Sequence, residues 1–296
     1  MKVILTGGTG FLGSNLLKKL LVNNFEVILL KRSFSNLDRI YSVLEHPNLT
    51  LFDLDIDKIE RVFSNGAIES IIHTATEYGR SGLPIHLVLE TNLVYPIKLI
   101  ELGVKYGVKT FINTDSYFNK CSLNYSHLSN YIVSKRNLVS WLKVLSDHIY
   151  IANVALEHIY GPFDSQTKFV GSLIQSVAIK KAERVALTLG HQRRDFIYVD
   201  DATEAYIYLL NYMSTTKEKF SEFQLGTGNS VSVRTFAEII KSLSHSRTIL
   251  GFGDVEYRSD EIMDSKAENS TLLDLGWRPQ VSLQDGVMET IKAFRV

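Results

Sequence analysis

Directly behind the apolar run Val3-Ile4-Leu5 the chain reads Thr6-Gly7-Gly8-Thr9-Gly10-Phe11-Leu12-Gly13, and an amphipathic run from Leu12 to Leu21 follows. A strand, a glycine turn and a helix start are thereby compressed into one element. Gly7 permits the tight turn, Gly10 lets the backbone approach a pyrophosphate, and Gly13 lets the helix lie against the strand. Phosphate charge then meets the N–H groups of a helix N-terminus, those of Phe11 and Leu12 among them. The plainer alternative is an ordinary glycine turn, but a strand before and a helix after are the context that a dinucleotide-binding turn requires.

The 296 residues, 45% of them hydrophobic, are enough for one large core or two modest ones, and so for a nucleotide-binding domain with a smaller one appended. A formal net charge of zero gives no electrostatic reason to expect nucleic acid or an anionic membrane as partner, which leaves a small molecule. Cys121 is the single cysteine, and no Cys/His grouping has zinc spacing. Both points favour a reducing cytoplasm without a structural metal. With no apolar stretch of about 18 residues and no basic-then-apolar leader, the chain reads as cytoplasmic and unprocessed.

Apolar runs predict strands near Val3–Leu5, Val27–Leu30, Leu49–Phe52, Ser70–His73, Lys109–Asn113 and Ile149–Val154, each followed by a helix or connection. This alternation predicts an α/β fold, a doubly wound parallel sheet of the Rossmann kind covered on both faces. A long helical stretch runs from about Ile85 to Tyr106, and Pro96 inside it should kink it or start a helix. After Tyr160-Gly161-Pro162 the pattern is less regular. We expect a helix near Phe169–Ile179, a strand near Val185–Leu189, and helices near Asp201–Tyr212 and Leu283–Phe294. The domain change is placed at 161, giving a dinucleotide-binding domain over 1–161 and a smaller mixed α/β domain over 162–296, with some chain crossing back.

In such a fold the end of the second strand, about 20 residues past the glycines, holds an acid for the ribose of NAD. Here it reads Lys31-Arg32-Ser33. Two cations and a hydroxyl suit the 2′-phosphate of NADP, with Arg32 also able to stack on adenine; a solvated strand end is the alternative. Asp53 ends the third strand, where its carboxylate would accept from the adenine amino group, with Leu54 beside it. The run Asp53-Leu54-Asp55-Ile56-Asp57 is no calcium loop, because Lys58 and Ser64 stand where glycine and glutamate belong.

Tyr131 and Lys135 are four apart, on one face of a helix that begins near Leu128. The strand before it ends Asn113-Thr114-Asp115-Ser116, delivering hydroxyls to the carboxyl edge of the sheet, where ligands of open α/β folds bind. Strand-end hydroxyls that merely cap a turn are the alternative.

These pieces together resemble the extended short-chain dehydrogenase/reductase family of sugar-nucleotide epimerases, dehydratases and reductases. Beyond the glycine turn, His73-Thr74-Ala75 looks like its fourth-strand cofactor contact, Asn92 like its helix asparagine, and Tyr131 with Lys135 like its active-site pair. Tyr160-Gly161-Pro162, the stretch from Arg194 to Asp201, Leu225-Gly226-Thr227-Gly228 and Gly276-Trp277-Arg278-Pro279 match its substrate domain. The resemblance implies that Tyr131 is the proton donor, made more acidic by the Lys135 ammonium, that Lys135 also binds the nicotinamide ribose, and that Thr114 shares the substrate oxygen with Tyr131. Family dehydratases carry an Asp-Glu pair after that threonine. Asp115-Ser116 here disfavours dehydration.

Within the family, Ile71 to Gly79, Asn113 to Phe118, Leu156 to Pro162 and Asp260-Glu261-Ile262-Met263 are similar to the branch of CDP-abequose and CDP-paratose synthases. That branch reduces the 4-keto group of a CDP-linked dideoxyhexose with NADPH, so the resemblance implies NADPH rather than NAD and a CDP-linked sugar substrate. Glu77, Tyr78, Asp115 and Ser116 would line the sugar pocket, although Glu77 and Tyr78 also fit a surface loop. His158 either touches the substrate or fills space. Arg194 and Arg258 would bind the diphosphate, the alternative being salt bridges with Asp195 and Glu256. Asp200-Asp201 precede a helix and read as an N-cap and first-turn acid rather than a metal pair. The resemblance also implies a homodimer through the long helices near Ile85–Tyr106 and Leu128–Leu145. The rival reading is a nucleotide-sugar 4-epimerase that retains NAD.

Overall fold

The computed structural model describes residues 1–64, 66–80, 82–120 and 128–295; Cys121 lies outside the described residues. Six strands come in the expected places: β1 (Lys2–Thr6), β2 (Glu26–Lys31), β3 (Leu49–Asp53), β4 (Ser70–His73), β5 (Thr110–Ser116) and β6 (Tyr150–Leu156). With a further strand, Phe220–Leu225, they form a seven-stranded sheet in which the order from one edge is Phe220–Leu225, β6, β5, β4, β1, β2, β3. The registers of β1 with β2 and β4, of β2 with β3 and of β4 with β5 are all parallel. This is the Rossmann arrangement. The order reverses between β1 and β4, so their carboxyl ends frame the crevice in which ligands of open α/β sheets bind.

Helix α1 (Phe11–Val22) buries Leu16, Leu17, Leu20 and Leu21, the apolar stripe that the glycine turn launches. Between β4 and β5 the helix α2 (Ile85–Leu89) passes through a π turn at Glu90–Val94 into α3 (Tyr95–Lys105), where Pro96 occupies the first turn. Pro96 therefore starts a helix, and the wider π turn absorbs its missing N–H and ring bulk. Helix α4 (Ser129–Leu145) follows β5. One core packs Ile4, Ile28, Ile71, Phe111 and Ile151 of the sheet with Leu99, Ile100, Leu138 and Leu142 of the helices.

Contacts divide the chain into Met1–Ala155 with Thr203–Phe223, and Leu156–Ala202 with Gln224–Val296. By contacts the first unit gives way to the second after Ala155. The second unit is built from short strands: His158–Tyr160 parallel to Phe196–Tyr198, Arg184–Leu187 parallel to Ile249–Phe252, and Arg193–Arg194 between Val231–Ser232 and Asp264–Ser265. Its core joins Tyr160, Leu173, Ile174, Phe196, Phe236, Ile240, Val287 and Ile291. Helix Val233–Ser244, absent from the expectations above, supplies Phe236 and Ile240 and is capped by the Ser232 hydroxyl, which accepts from Thr235 N. Among the described residues no helix is long and apolar enough to cross a membrane.

Candidate active site

The glycine turn leaves no room for side chains. Gly7 sits at φ +71°, and a Cβ there would lie 2.5 Å from Ala75 N; one on Gly13 would lie 2.2 Å from Gly7 O. Gly10 N donates to Gly7 O at 2.9 Å, closing the turn. No side chain caps α1 and no acid lies in its first turn, so its N-terminal dipole and the N–H groups of Phe11 and Leu12 meet no carboxylate from their own helix. Ala75 N also donates to Thr6 Oγ1 at 3.3 Å, and Thr74 Oγ1 donates to Thr6 O at 2.7 Å, which sets the backbone after β4 against the turn after β1. These residues fit a dinucleotide pyrophosphate: the cradle has backbone donors, no side chain and no negative charge.

At the end of β2 the expected set separates. Lys31 is buried and paired with one carboxylate oxygen of the partly exposed Asp53. Ser33 gives its N–H and its hydroxyl to Asp55, at 2.7 and 2.5 Å, and these bonds hold the Asp55 carboxyl below its usual pKa. Leu54 N donates to Lys31 O at 2.8 Å. Arg32 lies over the exposed Phe34 ring at 4.8 Å and is the outward-facing guanidinium of the group.

Past β4, Asn92 is fully buried and clamps the next segment. Its amide donates to Glu77 O at 2.7 Å and to Ser134 Oγ at 3.0 Å, while its oxygen accepts from Glu77 N at 2.7 Å. Glu77 turns its carboxylate onto Gly79 N at 3.0 Å. Tyr78 is thereby stacked on the Tyr131 ring, centroids 4.8 Å apart, with the Arg80 guanidinium 5.1 Å from the Tyr78 ring. Tyr78 thus meets the candidate acid itself.

Tyr131 and Lys135 lie in the first half of α4, both buried. Lys135 Nζ donates to Thr114 O at 2.8 Å. The Thr114 hydroxyl, however, shares a 2.6 Å hydrogen bond with Tyr206 of helix Val199–Met213, inside the unit. Ser116, two positions on at the end of β5, is a second hydroxyl that acts on the Tyr131 phenol, lowering its pKa against the larger effect of burial. In the structure the Thr114 hydroxyl is thus engaged by Tyr206 and its carbonyl by Lys135. Asp115 is buried and accepts from Asn119 Nδ2 at 2.6 Å and Asn153 Nδ2 at 3.1 Å.

The expected acidification of Tyr131 also fails. Burial raises the phenol well above the ordinary tyrosine value, neighbouring Tyr78 adds to this, and the Ser116 hydrogen bond offsets only part. Burial in turn pulls Lys135 down to about 8, while Asp115 pushes it up.

In the second unit Glu157 is buried and accepts from Ser265 Oγ at 3.0 Å through either carboxylate oxygen. Sequence reasoning passed over it, though an acid ending a buried strand was a signal. His158 lies against Phe196, ring centroids 5.9 Å apart, with its pKa lowered by burial. Arg194 is buried, paired with Glu261 and donating to Arg193 O at 2.8 Å and to Ile262 O. The structure therefore gives it internal partners, whereas Arg258 is exposed. Asp195 accepts from the backbone of Thr227, Gly228 and Ala267 at 2.8 to 3.1 Å. Asp201, expected as a cap, accepts from Gln280 N and Val281 N at 3.0 Å, and its carbonyl takes Trp277 Nε1 at 3.0 Å.

Comparison with known proteins agrees with this geometry. A CDP-abequose synthase of Salmonella muenchen is 35% identical over 98% of this chain and 97% of its own length. Among solved structures, UDP-glucose 4-epimerase of Thermotoga maritima with UDP-glucose superposes with TM-score 0.83 at 23% identity, covering 100% of this chain and 99% of that one. A dTDP-glucose 4,6-dehydratase of Bacillus anthracis in complex with NAD gives 0.83 at 18%, over 100% and 96%. The two structures fix the fold. The family model described as NAD dependent epimerase/dehydratase matches residues 3–226, most of the chain. With a glycine cradle at the switch point, a buried tyrosine and lysine one turn apart, and a relative alike over nearly its whole length, the chain belongs to the NAD dependent epimerase/dehydratase family.

Proposed function

We propose that the chain is an NADPH-dependent reductase of the 4-keto group of a nucleotide-linked deoxyhexose, of the CDP-4-keto-3,6-dideoxyglucose type. The observation that carries this reading is the buried Tyr131 one turn from Lys135, with Lys135 Nζ held on the carbonyl of Thr114 at the end of β5. NADPH, when bound, supplies the hydride. Tyr131 and a hydroxyl at the end of β5, that of Thr114 or of Ser116, hold the ketone oxygen, and Tyr131 gives it a proton as negative charge develops there. The Lys135 ammonium then offsets the phenolate left behind. The CDP-linked substrate is supported by the likeness to CDP-abequose synthase, and Arg258 is the exposed guanidinium suited to the diphosphate.

A panel of CDP-, dTDP-, UDP- and GDP-linked 4-ketosugars, followed by NADPH oxidation, tests the assignment. Stoichiometric oxidation with the CDP-linked 4-keto-3,6-dideoxy sugar is the expected result. Purified protein holding NAD tightly, with no net NADPH consumption on any member, overturns it in favour of a 4-epimerase.

Arg32 supports NADPH, since its neighbours Lys31 and Ser33 are bonded to Asp53 and Asp55. Losing one charge-assisted contact of about 1.5–3 kcal/mol, Arg32→Ala is expected to raise KM for NADPH by roughly 10- to 100-fold. The KM for NADH should stay nearly unchanged, and parallel steady-state assays compare the two. Equal effects on both would remove Arg32 from 2′-phosphate recognition.

A homodimer is supported by α4, which exposes about half of Val133, Trp141 and Val144 at helical spacing on one stripe, with Ile85 of α2 also exposed. Trp141→Glu is expected to convert the dimer to monomers in sedimentation velocity. Retention of the wild-type species would show that this stripe is not the interface.

A further inference from the structure

Tyr206, on helix Val199–Met213, is a fully buried phenol that the proposed proton transfer does not use. Its hydroxyl has one hydrogen-bond partner among the described residues, the Thr114 hydroxyl at 2.6 Å. Either oxygen of such a pair can donate, and satisfaction decides which one does. If Thr114 donated, the Tyr206 proton would be left in the interior without an acceptor, which is costly. If Tyr206 donates, Thr114 Oγ1 accepts and keeps a proton of its own to give. Thr114 is where that proton can be used. It stands near the carboxyl end of β5 and is the one residue of that strand which is not buried, whereas Asp115 and Ser116 beyond it are. Its carbonyl takes Lys135 Nζ at 2.8 Å, one turn of α4 from Tyr131. Thr114, Lys135, Tyr131 and Tyr206 all belong to the same unit of the chain.

We propose that Tyr206 is a positioning residue, which donates to Thr114 Oγ1 and so turns the Thr114 proton out toward the ketone oxygen that Tyr131 protonates. This rests on Tyr131 being the proton donor to a sugar ketone. It selects Thr114 over Ser116 as the hydroxyl that shares the oxygen. A threonine hydroxyl left to itself rotates to suit whatever is near, water included. With Oγ1 accepting from Tyr206 and the carbonyl anchored by Lys135, the Thr114 proton is aimed before substrate arrives, the condition for stabilising charge as it develops. A hydroxyl that accepts one hydrogen bond also donates the next more strongly. The developing charge therefore meets two linked hydroxyls on this side.

Neutron diffraction on deuterium-exchanged crystals of the intact protein locates the proton without turnover, so this arm is independent of the sugar assignment. The Tyr206 deuteron is expected between its own oxygen and Thr114 Oγ1, with the Thr114 deuteron turned away from Tyr206. A Thr114 deuteron pointing at the Tyr206 oxygen overturns the proposal. Turnover of the 4-ketosugar gives the second arm. Tyr206→Phe keeps the ring and removes the donor, and kcat is expected to fall roughly 2- to 10-fold, the size of one neutral hydrogen bond, with KM for NADPH unchanged. Thr114→Val should lower kcat by roughly 100-fold or more. Adding Tyr206→Phe to Thr114→Val should lower it no further, because no hydroxyl is left to aim. An equal loss in both backgrounds makes Tyr206 a packing residue only, and near-normal turnover in Thr114→Val hands the ketone oxygen to Ser116; either result overturns the proposal. Thermal melting reports whether each variant is folded, and where one is not, the deuteron position decides. Failure of the reductase reading itself shows differently, as no NADPH oxidation by the wild type.

Discussion

Tyr131→Phe is expected to lower turnover by about a thousandfold, within the range that removing a general acid produces, while the protein stays folded and still binds NADPH. The ring remains, so its stacking on Tyr78 and its edge contact with Phe118 survive the change. What is lost is the hydroxyl, and with it the proton that the ketone oxygen needs. The effect should fall on kcat, because the oxygen gains negative charge only as the reaction proceeds. Stopped-flow NADPH oxidation measures the rate, and fluorescence titration the affinity. Activity within a few-fold of wild type would take Tyr131 out of the mechanism.

The second large effect is expected at Gly13. A Cβ there would lie 2.2 Å from Gly7 O, 2.7 Å from Gly7 C and 2.8 Å from Gly8 Cα, all backbone atoms of the turn itself. None can rotate away as a side chain would, so Gly13→Ala must push α1 off the turn that it is packed against. Overpacking of this kind costs about 1–3 kcal/mol in stability. The larger loss is in the cradle, where shifting the N–H groups by a fraction of an ångström should weaken NADPH binding by roughly 100-fold or more. Gly10→Ala makes the internal control, since its Cβ meets only Gly7 O, at 3.2 Å, and should be better tolerated by the apo protein. Fluorescence titration and thermal melting order the variants; wild-type affinity in Gly13→Ala would contradict the cradle.

The sheet was legible because β1, β2 and β4 are short, continuous apolar runs, each ended by a polar or glycine residue, and buried strands need no alternation. Beyond Tyr160 the strands shrink to between two and four residues, with Phe220–Leu225 the exception, too short for any period to register. Helix Val233–Ser244 was legible in principle: Ser232 and Thr235 form a cap, and Val233, Phe236, Ala237 and Ile240 share a face. It was passed over amid those irregular connections.

At the site, residue types were readable and partnerships were not. Lys31 and Asp53 are 22 positions apart and Arg194 and Glu261 are 67, so only the folded chain reveals that these charges neutralise each other. Thr114 and Ser116 are two residues apart on the same strand, and only the folded chain shows that the Thr114 hydroxyl is engaged by Tyr206 and its carbonyl by Lys135. The sign of the shift at Tyr131 was missed for a related reason. Spacing places an ammonium one turn away, but it does not show that this ammonium is bonded to a carbonyl, or that burial outweighs it.

The central claim is that Tyr131 protonates a sugar ketone while hydride passes to its carbon once per turnover. NADPH deuterated at the transferable position of C4 tests this with the CDP-linked 4-keto-3,6-dideoxy sugar and the intact protein. The account predicts one deuterium at C4 of the product alcohol for each NADP+ formed. Product without deuterium, or turnover with no NADP+ released, would contradict it.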